Sequence, residues 1–243
     1  MSSTADKSWK VEALLLLGAG LLFSLSWGGL LSYAAGRFLP NLTPGDDRFV
    51  QFVIGTTSLQ GAALILVHFF LRHHGVTWRR FLGLDRPALG HIVLRALAVA
   101  ALATPLVLLL AAGCEQVLRA WQGDVETQAA VKVMELALSP GRRTLFLLAS
   151  LVLAPVAEEI LFRGILYPAI KQQGHPRLAL AASAVLFSAI HFNQLAFIPF
   201  IVLAVLLTLL YERTGSLLAP ILAHAAFNAA NVIYFAVRQS AAA

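Results

Sequence analysis

Apolar residues fall in long runs separated by short polar connections. Runs over 11–35, 49–71, 92–113, 144–171, 178–192, 195–211 and 217–237 reach or approach the roughly 20 helical residues that cross a hydrocarbon core. They predict an all-α, polytopic transmembrane helical bundle with about seven spans, six to eight. Pro44-Gly45-Asp46-Asp47 marks a polar turn over 40–48. The connection 72–91 carries Trp78, Arg79, Arg80, Phe81, Leu84 and Arg86, which suits a short helix at headgroup level. Within 115–143, Val125, Ala129, Val133 and Leu136 share one helical face, predicting an amphipathic interfacial segment. Pro105 is expected to bend the third span. The fourth is overlong and must tilt or kink, with Pro155 as the cause. The fifth is short and ends at His191, and Glu212-Arg213-Thr214-Gly215 breaks the chain after the sixth. With no internal repeat or linker in view, residues 1–243 read as a single integral-membrane domain whose first apolar run is a retained helix.

Composition agrees with the pattern. Hydrophobic residues make up 59% of the chain and charged residues 12%, with a mean hydropathy of +0.78. A soluble domain carries about twice that share of charge, so this chain has too little polar surface to cover a water-facing monomer. The net charge of +6 lies in the connections, where it reads as orientation and anionic-lipid contact and not as a nucleic-acid surface. Lys7 and Lys10 fall on the side that collects Arg72, Arg79, Arg80 and Arg86, which predicts a cytoplasmic N-terminus in the inner cell membrane. A lone cysteine, Cys114, leaves no disulfide within the chain and no cysteine-based zinc spacing.

Against this background the polar residues inside the spans stand out. Glu158, Glu159 and Arg163 lie within two turns of the fourth span, His191 ends the fifth, and His224 and Asn228 lie in the seventh. An Asp, Glu or Arg in mid-membrane costs about 3 kcal/mol or more, so these polar groups are expected to face one another. At 1.5 Å per residue, Glu158 and His191 both lie about 20 Å from one membrane face, and His224 and Asn228 about 10–17 Å from it. Glu159 and Arg163 are i,i+4 neighbours in the order that favours an ion pair. With Arg163 engaged there, Glu158 turns about 100° away, towards the bundle. A carboxylate in a low-dielectric site can act as a general base, an imidazole can share its proton, and a His–Asn pair can donate to an oxyanion. Such a set fits hydrolysis of an amide bond.

Three stretches also carry a resemblance. Glu158-Glu159-Ile-Leu-Phe-Arg163 resembles the EExxxR motif of the CAAX-prenyl-protease and bacteriocin-processing (CPBP, or Abi) intramembrane proteases. Phe187-Ser-Ala-Ile-His191 resembles their FxxxH motif, and His224-Ala-Ala-Phe-Asn228 their HxxxN motif, in the family's order. The resemblance implies a protease core over 144–237 with a water-filled cavity open to one membrane face. It implies that Glu158 and His191 activate water, that His224 and Asn228 stabilise the oxyanion, and that Glu159 and Arg163 support the site. It favours a metal-free reaction; a zinc ion held by Glu158, His191 and His224 is the alternative, with Asn228 a poor ligand and no HExxH present. The implied partner is a membrane-associated peptide or protein: a CAAX-like tail, a leader peptide or a C-terminal sorting signal. A non-catalytic membrane immunity or scaffold protein retaining the fold is the competing reading.

Overall fold

The computed structural model describes residues 9–85, 89–122 and 139–242. They form α1 (Val11–Phe38), α2 (Pro44–His73), α3 (Trp78–Phe81), α4 (Leu89–Gln122), α5 (Pro140–Lys171), α6 (Pro176–Ala189), α7 (Gln194–Thr214) and α8 (Leu218–Ala242), with no strand among the described residues. Six of these helices are long and apolar enough to cross a membrane, and α6 is a shorter apolar helix. The all-α polytopic bundle therefore stands. Most of the amphipathic segment expected over 115–143 lies outside the described residues; 115–122 continue α4.

Two starts differ from the sequence expectation. The stretch Pro44-Gly45-Asp46-Asp47 is the first turn of α2 and not a loop. Thr43 caps it, its side chain accepting from the Asp46 N–H, with Pro44 at the first helical position, where a missing donor costs nothing. α5 likewise begins at Pro140, before the expected Thr144, with Ser139 accepting from the Arg142 N–H. α5 also contains two wide π-type stretches, Ala149–Leu153 and Ile160–Leu166. Pro155 cannot donate back to the carbonyl of the preceding turn, and the first wide stretch ends two residues before it.

The described residues divide into two compact units, one built from Trp9–Thr77 and 139–158, the other from 78–122 and 159–242. The boundary falls between Glu158 and Glu159. In the first unit Asp46 and Arg142, the third helical residues of α2 and α5, form an ion pair, so these two helices start side by side. At the other end of α2, the Lys10 N–H donates to His74, and Trp9 packs edge-on against Phe70 and His74.

In the second unit α7 packs against α4 and α8. Ile92, Ala96, Ala103 and Val107 of α4 meet Leu203, Leu207 and Leu210 of α7 and Ala219, Ala223 and Phe227 of α8. Steps of four residues with alanine at several contacts let the backbones approach closely, as helices do where lipid supplies no hydrophobic drive. Lys171 pairs with Glu212 at 2.5 Å, and Arg163 reaches the Ala204 carbonyl at 2.8 Å. Both contacts span 41 residues, so the second half of α5 runs parallel to α7 in constant register, with α6 returning between them.

Candidate active site

Glu159 and Arg163 are fully buried. The Arg163 guanidinium donates through Nη1 to Glu159 Oε1 at 3.0 Å, through Nη2 to the Ala204 carbonyl at 2.8 Å, and through Nε to Thr208 Oγ1 at 3.3 Å. Thr208 donates in turn to the same Ala204 carbonyl at 2.8 Å. Below the guanidinium lies the Phe187 ring, whose centroid is 4.7 Å away. A buried arginine without such neighbours would cost several kcal/mol. Here its fork is met on one side by a carboxylate and on the other by backbone and hydroxyl oxygens of α7.

The same carboxylate oxygen takes a second bond. His224 Nδ1 lies 2.9 Å from Glu159 Oε1, with His224 itself buried. Since a carboxylate only accepts, Nδ1 carries a proton and donates it to Glu159. His224 is placed for this by α8: it follows Ala223 by one residue, about 100° round from the packing stripe of Ala219, Ala223 and Phe227. Asn228 lies one turn further on the same helix and is half-buried.

His191 is not in a helix. α6 ends at Ala189, two residues before it, and the chain turns through Ile190, His191 and Phe192 before Asn193 caps α7 by accepting from the Ala196 N–H at 3.0 Å. The fifth apolar run thus stops short of its expected end because the next helix is capped from Asn193. Phe192 adopts φ 46°, the one non-glycine residue in the left-handed region among those described, and its side chain is 95% exposed. The His191 ring folds back so that Nδ1 donates to the Phe187 carbonyl at 2.7 Å, and it packs against Phe200 with centroids 4.7 Å apart. Its Nε2 is accordingly the basic nitrogen of the neutral ring.

Phe187 connects the set. Its ring lies 5.0 Å from the His191 ring and 5.8 Å, edge-on, from that of His224, besides underlying Arg163. The structure therefore brings Glu159, Arg163 and His224 into direct contact and joins His191 to them through one buried phenyl ring. Glu158 ends the first unit, half-buried, one residue before Glu159 in the same helix. Among the described residues, no three His, Cys, Asp or Glu side chains come together as a metal-ligand set.

Sequence reasoning read Phe187 only as the first residue of the FxxxH motif and missed Thr208 and Ala204. Thr208 had a readable signal: it is the lone hydroxyl in the apolar run Ile201–Leu210, and an isolated polar group at that depth seeks a partner. Ala204 had none, since its contribution is a backbone carbonyl.

Residues 140–230 match the family model described as Rce1-like, type II CAAX prenyl endopeptidase. That stretch contains Glu158, Glu159, Arg163, His191, His224 and Asn228. No curated protein and no solved structure matches the chain.

Proposed function

We propose that this chain cleaves a peptide bond of a membrane-associated protein by glutamate- and histidine-activated water, a reading supported by the match of residues 140–230 to the Rce1-like type II CAAX prenyl endopeptidase family model. Glu158 takes the proton of the attacking water, with His191 Nε2 as the partner base. The water oxygen bonds to the scissile carbonyl carbon, and the carbonyl electrons move to an oxyanion that Asn228 and His224 meet as donors. The proton then passes to the departing amine as the carbon–nitrogen bond breaks. For His224 to donate at Nε2 it must hold two protons, and the Glu159 carboxylate on its Nδ1–H offsets the ring's charge, much as a triad carboxylate does. That shared oxygen, bonded by Arg163 and His224 at once, is the observation that carries the reading.

We place the reaction in the inner cell membrane, with a cytoplasmic N-terminus. Leader peptides and C-terminal sorting signals are favoured over a prenylated tail as substrates, because the Ala-, Leu- and Arg-rich composition suggests a bacterial chain. No metal enters this scheme. Glu158, His191 and His224 would be the zinc donors in the competing scheme, but the chain carries no HExxH and Asn228 is a poor ligand. Activity is therefore expected to survive dialysis against 1,10-phenanthroline; loss that added zinc restores would overturn the metal-free scheme.

The main test compares protein termini in cells carrying wild-type chain, Glu158→Gln or Glu158→Ala. A general base contributes about two to four orders of magnitude, so specific processed termini should vanish while the variant still inserts in the membrane. Processing that persists in both variants would remove Glu158 as the base. Termini unchanged even on deletion of the chain would favour the non-catalytic scaffold.

A further inference from the structure

The family match begins at residue 140, yet the second unit builds its site partly on a segment far ahead of it, α3 and the turn Leu82–Leu84. Gly164 follows Arg163 inside the π-type stretch of α5. A Cβ there would stand 2.5 Å from Phe81 Cζ and 3.0 Å from Leu217 Cδ1, so the Phe81 ring occupies the space a side chain would need. Phe81 is itself buried, at 8% exposure. The next residue holds the other side of the site. The Leu82 carbonyl accepts from the Leu217 N–H at 3.1 Å and from Ser216 Oγ at 3.0 Å, while Ser216 Oγ accepts from the Leu218 N–H at 3.3 Å, the first residue of α8. Gly83, at φ +72°, lies so close that a Cβ would come within 2.8 Å of the Ser216 Cα.

One short segment thus fixes two elements: the stretch of α5 bearing Arg163, and the start of α8, two turns before His224. The Glu159–His224 bond at 2.9 Å is the point where those elements meet. We propose that Phe81 and Leu82 are positioning residues, a clamp that sets the distance between Glu159 and His224. Phe81 sets the height of the wide turn through Gly164, and Leu82 sets where α8 begins. The catalytic consequence rests on the function proposed above; the geometric one does not.

The test uses the full chain in detergent micelles, with Gly164→Ala, Phe81→Ala, Phe81→Leu and the pair Gly164→Ala/Phe81→Ala. Two quantities are read. One is the imidazole N–H proton resonance of His224 bonded to Glu159, assigned by its loss in His224→Gln. The other is kcat and KM on a quenched-fluorescence peptide ending in a farnesylated CAAX sequence. Gly164→Ala should shift the resonance and lower kcat by about a hundredfold with KM little changed, the scale for a displacement of about 1 Å. The pair should recover much of both, because removing the ring frees the space, and Phe81→Leu should lie near wild type. A resonance unmoved in Gly164→Ala, or a pair no better than the single variant, would overturn the clamp. Should Gly164→Ala fail to fold, Phe81→Ala decides alone: a lower melting temperature with the resonance in place marks a purely structural ring and also overturns it. A wild-type chain inactive on the peptide counts against this substrate, and the resonance still reports on the clamp.

Discussion

Each unit of this protein contains an arginine–carboxylate pair, and the two pairs solve opposite problems. In the first unit Arg142 and Asp46 join the starts of two helices, with side-chain exposures of 35% and 29%. Thr43 also donates to Asp46, and Arg142 stacks on Phe49, so each charge keeps solvent and local partners besides the other. In the second unit Arg163 and Glu159 have no exposure at all, and every contact they make is to protein. An exposed pair contributes little because water competes for both partners. A buried pair contributes little net stability either, since desolvation offsets attraction, but breaking it leaves a charge with nowhere to go. The first pair is a fastening. The second is a constraint, retained because it orients Glu159 towards His224.

Removing one partner of the buried pair gives the largest expected effect. Arg163→Ala strands the Glu159 carboxylate and should cost about 3–5 kcal/mol, read as a lowered melting temperature in micelles. The double variant Arg163→Met/Glu159→Met removes both charges and should recover most of that stability while remaining inactive, because His224 has lost its acceptor. Recovery of activity in the double variant would show that the pair is only structural.

The next effect is smaller and isolates one arm of the network. Thr208→Val deletes the hydroxyl that accepts from Arg163 Nε and donates to the Ala204 carbonyl. Arg163 keeps Glu159 and Ala204, so the loss should be about 1–3 kcal/mol, the range for leaving buried polar groups unmatched. Thr208→Ser keeps the hydroxyl and should melt close to wild type. Equal melting of the Val and Ser variants would mean that Nε finds another acceptor.

How much of this was legible beforehand differs between the helices and their contacts. The spans follow from run length alone, because a continuous apolar run of about 20 residues satisfies its backbone in a hydrocarbon slab as a helix. Rise per residue puts Glu158 and His191 about 20 Å, and His224 and Asn228 about 10–17 Å, from one membrane face, and of these His191 and His224 both meet the Phe187 ring. Azimuth did not follow. Height along an axis says nothing of which side chain turns towards which, so Glu159 was assigned to Arg163 and its second bond, to His224, went unseen. The end of α6 was illegible for a different reason. Ile190-His191-Phe192 is as apolar as helix, and Phe192 takes a left-handed conformation that sequence reading reserves for Gly or Asn. The helix starts at Pro44 and Pro140 were written plainly as Thr-Pro-Gly and Ser-Pro-Gly; reading the proline as a turn instead of a first helical residue concealed them.

The smallest effect sharpens the contrast most. Asp46→Asn keeps the shape and leaves the Thr43 cap on the Asp46 N–H possible, but removes the charge facing Arg142. Arg142 occupies the third position of its helix, where the dipole disfavours a cation, so Asp46 offsets that misplacement as well as pairing with it. Both groups retain solvent, and the melting temperature should fall by less than in Thr208→Val. Salt then separates the regions. At about 1 M the Debye length is about 3 Å, so the Asp46→Asn difference should largely disappear against wild type. The Arg163→Ala difference should persist, because ions do not reach a fully buried carboxylate. A salt-insensitive Asp46→Asn effect would place that pair in the same class as the buried one and erase the distinction between fastening and constraint.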